Sequence, residues 1–101
     1  MVTQKIRVRF AKKDLMRFIS HLDLMRLFQR ASRRAGLPVA VTEGFNPHLR
    51  ISIQPAIKLG LKSDSLEAIF KLSGWAKPGD FKDALQRDLP EGIEILEVSI
   101  V

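Results

Sequence analysis

The spacing of apolar residues changes abruptly near the start of the chain, and that change constrains the fold more than any other feature. From Lys5 to Phe10 the side chains alternate strictly, with Ile6, Val8 and Phe10 on one side and Lys5, Arg7 and Arg9 on the other. A period of two predicts a strand with one buried face. After a polar connection over residues 11–19, Leu24, Leu27, Phe28, Ala31 and Ala35 recur at helical spacing and fall in one narrow stripe. A one-faced strand followed by a one-striped helix calls for a layered α+β arrangement in which those faces cover each other.

The helix has punctuation at both ends. The Ser20 hydroxyl is placed to accept from a free amide of the first turn, and Asp23, three residues later, suits the positive end of the helix dipole. Gly36 supplies the left-handed conformation that ends a helix, and Pro38 prevents continuation.

Beyond it, Pro38–Thr42 reads as a short strand, and Glu43–His48 as a loop built on Gly44 and the Asn46-Pro47 turn. Residues 50–57 alternate again and form a strand that Pro55 confines to an edge. Residues 58–65 read as a turn and Leu66–Leu72 as a further strand. A shorter helix follows, with Phe81, Ala84, Leu85 and Leu89 as its stripe and Pro90 and Gly92 as its stop. Trp75 is expected to staple the start of that helix. Residues 93–101 close the chain as a strand whose alternation slips near Leu96, the mark of a bulge. The simplest plan with this order is a ferredoxin-like sandwich, an antiparallel sheet with two helices on one face.

With 101 residues, 46% hydrophobic and 28% charged, the chain is expected to form one globular domain over residues 1–101. No apolar run approaches the roughly 20 residues that span a bilayer, and Met1–Lys5 lacks a secretory apolar region, so a cytoplasmic location is the expectation. There are no cysteines, which excludes disulfides, thiolate zinc and the usual iron–sulfur ligation.

Charge is spread unevenly. Residues 1–50 hold eleven Lys/Arg against three Asp/Glu, and residues 51–101 hold six against eight. A basic first half points to a polyanionic partner, most simply RNA. On the back of the first helix, Arg26, Arg30 and Arg33 lie at i, i+4 and i+7 with Arg34 beside them. Guanidinium groups one turn apart suit the nucleic-acid-binding role, because each bonds phosphate oxygens in pairs. Arg7 and Arg9 sit mid-sheet without outward aromatics to stack bases, and Glu67 and Glu94 are at hand to neutralise them.

A second group is a ligand-binding corner of Arg17, Ser20, His21, Asn46 and His48. If the 43–48 loop joins neighbouring strands at the end of the sheet where the first helix starts, His21 and His48 converge there. They would then orient a phosphate or serve as a general base on a ribose hydroxyl. If residues 38–57 instead form one broken strand, the convergence fails. Neither a metal nor a cofactor is expected.

Phe18-Ile19-Ser20-His21-Leu22-Asp23-Leu24, Arg30–Pro38, Glu43–His48 and Ile51-Ser52 together closely resemble the radical-SAM-linked domain of unknown function of bacteria. The likeness is dense over residues 5–54; afterwards it rests on Leu59-Gly60 and Leu89–Gly92. Leu49 stands where proline commonly follows the family's histidine. Members are usually longer, so the chain is expected to be a short version or the N-terminal part of a longer domain. The resemblance implies an accessory role beside a radical-SAM protein, in RNA or ribosome-related biology. Without a cysteine the chain is not itself that enzyme.

Three functions follow as expectations. The first is a non-catalytic RNA-binding accessory domain using the helix arginines. The second is a module that docks on a radical-SAM partner through residues such as Leu22 and Met25. The third is a metal-independent ribonuclease using His21 or His48, for which the general likeness to ferredoxin-like RNA-processing proteins is the only analogy.

Overall fold

From Gln4 to Phe10 buried and exposed residues alternate, and this segment belongs to the central strand of the sheet, β1 (Gln4–Lys12). A computed structural model describes residues 2–55 and 65–101. The remaining strands are β2 (Ile51–Pro55), β3 (Ser65–Leu72) and β4 (Ile93–Ile100). The helices are α1 (His21–Arg34) and α2 (Pro78–Asp88). The element order is thus β-α-β-β-α-β, and the sheet order is β2-β3-β1-β4 with every neighbour antiparallel. The expected α+β class is what the chain adopts, and β2 is an edge strand, as Pro55 required.

Both helices turn their apolar stripes to the same face of the sheet. Ile6, Val8 and Phe10 of β1 share one core with Leu24, Phe28 and Ala31 of α1, Phe81 and Leu85 of α2, and Ala68, Phe70 and Leu72 of β3. Four rings run through it in series: Phe10 to Phe28 at 4.7 Å, Phe28 to Phe70 at 5.9 Å, and Phe70 to Phe81 at 5.1 Å between centroids. The tilted and edge-on geometries are those that the ring quadrupole favours. Each fully buried ring or leucine removes apolar surface worth about 1.5–3 kcal/mol from water. Lys5, Arg7 and Arg9 lie on the opposite, helix-free face.

The caps of α1 follow the sequence. The Ser20 hydroxyl accepts from the Asp23 amide at 3.1 Å. At the other end Gly36 has φ +67, its amide donates to the Arg33 carbonyl, and the Leu37 amide donates to the Ser32 carbonyl. Those two bonds are the Schellman pattern, which satisfies carbonyls the helix leaves free. The bulge is also where the alternation slipped: Phe10 faces Ile95 and Arg9 faces Glu97, leaving Leu96 as the extra residue.

Several expectations need correction. The connection over residues 11–19 contains two more strand residues and then a 3-10 turn, Asp14–Phe18. Pro38–Thr42 is not a strand of the sheet, and it makes only single bridges, Val39 to Leu72 and Val41 to Leu49. Trp75 is exposed and staples nothing, whereas its neighbour Ala76 packs against the core, its backbone held by the Gln4 carboxamide at 3.0 and 3.2 Å. Met25 likewise packs against the core. Most of the turn expected over 58–65, and the end of the 50–57 strand, lie outside the described residues.

Candidate functional site

The outward face of α1 is set by its inward one. Because Leu24, Phe28, Ala31 and Ser32 are buried, residues half a turn away must face solvent. Arg26, Arg30, Arg33 and Arg34 are all exposed. Arg26 approaches Asp23 at 3.5 Å, a solvent-exposed i, i+3 pair, while Arg30, Arg33 and Arg34 make no ion pair among the described residues.

The sheet arginines differ. Arg7 pairs with Glu67, and Arg9 pairs with Glu97 at 3.1 Å. Glu94 pairs not with an arginine but with Lys13; it stands opposite Ala11, while the bulge brings Glu97, rather than Leu96, opposite Arg9. The upper part of the helix-free face is therefore a neutralised lattice of alternating charge. The three helix arginines are not neutralised in that way.

The structure does not assemble the expected corner. Arg17 lies in the 3-10 turn, and Ser20 and His21 open α1, all exposed and following the end of β1 at Lys12. The chain leaves the sheet for the 43–48 loop near Val39, which bridges Leu72, the partner of Gln4 at the beginning of β1. It re-enters at Ile51, opposite Phe70. Departure and return both occur toward the end of the sheet opposite to that where α1 begins.

His48 moreover lines a hollow together with Ile69 and Lys71, so it serves the helix-free side, whereas His21 belongs to the helix layer. Over the described residues 38–55 the edge is interrupted, with single bridges at Val39 and Val41 before β2 begins at Ile51, and His21 and His48 do not converge. The two imidazoles therefore do not share one site, and the described residues contain no group of three His, Asp or Glu that could hold a metal.

The 42–50 segment is nevertheless well anchored. The Thr42 amide donates to the His48 carbonyl at 2.8 Å, and the His48 amide donates to the Thr42 hydroxyl at 3.1 Å. His48 Nδ1 lies 3.0 Å from the Asn46 carbonyl, which only accepts, so Nδ1 carries the proton and Nε2 is left free. Gln29 of α1 brackets Leu49, donating to its carbonyl and accepting from its amide, both at 2.9 Å. Sequence reasoning missed this bracket and the hollow beside it, because neither Gln29 nor Lys71 carries a motif.

A further exposed group lies at the entry to α1, where Leu15, Phe18 and Leu22 all present their side chains to solvent. No helix among the described residues is long and apolar enough to cross a membrane.

No curated protein and no solved structure matches the chain. A family model does, over residues 5–101. On that coverage the chain belongs to the family described as an uncharacterised protein conserved in bacteria (DUF2344).

Proposed function

We propose that the chain is a non-catalytic RNA-binding accessory domain of a radical-SAM enzyme system, with the outward face of α1 as its contact surface. The observation that carries this reading is the contrast between two sets of arginines. Arg7 and Arg9 are neutralised by glutamates, while Arg30, Arg33 and Arg34, on the back of one helix, have no carboxylate partner among the described residues. Unpaired guanidinium groups a turn apart can follow a phosphate backbone at little cost in broken ion pairs. The radical-SAM association rests on the sequence resemblance alone.

The test is fluorescence anisotropy of labelled transfer RNA at two salt concentrations, with an Arg26/Arg30/Arg33→Glu variant alongside. Binding at micromolar concentration or tighter, falling with salt and lost in the variant, is the expected result. Flat anisotropy at low salt for the unmodified chain sinks the reading.

A second reading, docking on a protein partner, is favoured by the exposure of Leu15, Phe18 and Leu22 at the entry to α1. Solvent-facing aromatic and leucine side chains close together in sequence are the kind of anchor that protein interfaces bury. Binding of that kind would resist salt, unlike contact with RNA.

A further inference from the structure

On the helix-free side of the sheet, where β2 meets β3, a hollow of about 190 Å³ opens. Its polar lining comes from Thr42, His48, Arg50, Ser52 and Lys71, and Leu49, Ile51 and Ile69 contribute apolar surface. The lining thus offers two permanent cations, one imidazole and two hydroxyls, with no carboxylate among them. Elsewhere on this face the cations are matched: Arg7 by Glu67, Arg9 by Glu97 and Lys13 by Glu94. Here the Cα partner of Lys71 across the sheet is Lys5, so two like charges stand opposite each other, an arrangement that is unfavourable unless an anion relieves it.

The frame around the hollow is rigid. The Arg50 amide donates to the Ala40 carbonyl at 2.7 Å, and the Arg50 carbonyl accepts from the Lys71 amide at 3.1 Å. Both cationic residues are therefore joined through backbone hydrogen bonds that do not involve their side chains. His48 is held by the Asn46 carbonyl through Nδ1, which orients its ring. Cations and hydroxyls brought to one hollow by hydrogen-bonded backbone are the partners that phosphate oxygens take.

We propose that this hollow binds the phosphate group of a small phosphorylated molecule, with Arg50 and Lys71 as the charged partners. The hollow is smaller than the roughly 300–1,000 Å³ of pockets that enclose whole drug-sized ligands. It therefore takes a phosphate and a short organic appendage laid on Ile69, and it is separate from the arginines of α1.

The test is titration of the 15N-labelled chain with inorganic phosphate, ribose 5-phosphate and a short single-stranded RNA, followed by amide chemical shifts. Ribose 5-phosphate should give saturable shifts at Thr42, His48, Arg50 and Lys71. Arg50→Gln and Lys71→Gln should each weaken its binding by about tenfold, the worth of one charge-assisted hydrogen bond. Arg30→Gln should leave it unchanged. Shifts that never saturate, or an equal loss in Arg30→Gln, would overturn the proposal by reducing the effect to general attraction of anions to a basic chain. Saturable shifts at these amides with RNA but not with ribose 5-phosphate would overturn it differently, assigning the hollow to a backbone phosphate. An unchanged amide spectrum away from the hollow verifies that both variants are folded.

Discussion

The side chain of Gln29 is paired to the backbone of Leu49 as one strand residue is paired to another, with its amide donating to the Leu49 carbonyl and its oxygen accepting from the Leu49 amide. Leu49 is buried, and only Arg50 separates it from the start of β2 at Ile51. A helix side chain thus stands in for the missing strand neighbour at the point where the edge of the sheet is interrupted.

Gln29→Leu should therefore destabilise the fold by about 1–3 kcal/mol, because it strips partners from two part-buried backbone groups while keeping the side chain's bulk. Urea denaturation measures the loss. Amide exchange should be fastest to rise at Leu49, and shifts at the neighbouring His48 and Arg50 would tie the bracket to the shape of the hollow.

Gly92 has φ +96, and a Cβ there would stand 2.7 Å from Cγ of Met16 and 2.9 Å from the Lys13 carbonyl oxygen. The Lys13 amide also donates to the Gly92 carbonyl at 2.7 Å, so this approach ties the end of β1 to the start of β4. Gly92→Ala combines an unfavourable φ with a clash that the backbone must move to relieve. A loss of about 2–4 kcal/mol is expected, read as a lower thermal midpoint. Gly36→Ala, which has φ +67 but open space around the added methyl, should cost only about 1 kcal/mol.

Those glycines illustrate what was legible. Gly36 read correctly as the end of α1 because a stop signal is local: a left-handed residue, followed by proline, after an apolar stripe. Ser20 and the slip at Leu96 were legible for the same reason. The site was not. Whether His21 meets His48 depends on where the chain leaves and re-enters the sheet, and a run such as Pro38–Ser52 is compatible with two strands or one broken edge. Gln29 reads as an ordinary polar helix residue, since nothing local marks a carboxamide that faces a loop twenty residues on. Ser32 was equally hidden, lying on the buried side of α1 among residues chosen for apolarity.

That serine is fully buried, and its hydroxyl has no hydrogen-bond partner among the described residues. A buried donor without a partner costs about 1–3 kcal/mol relative to water, whereas alanine fills most of the same space and is the better helix former. Ser32→Ala is expected to raise stability by about 0.5–1.5 kcal/mol and to leave RNA and phosphate binding unaltered. A fall in the urea midpoint would mean that the hydroxyl is satisfied in solution.

The two sets of arginines separate most clearly by their salt dependence. Each phosphate neutralised on a single strand contributes roughly 0.7 to the slope of log affinity against log salt. Arg30→Gln should reduce that slope by about 0.7 for a single-stranded RNA, because Arg30 has no carboxylate partner among the described residues and is free to displace a counterion. Removing Arg7 and Glu67 together, as Arg7→Gln/Glu67→Gln, deletes a pair that is already neutral and should leave the slope unchanged. The reverse order, with the sheet pair mattering and Arg30 silent, would move the RNA contact from the back of α1 to the helix-free face. The same phosphates would then compete for the hollow at Arg50 and Lys71, and ribose 5-phosphate would displace the RNA.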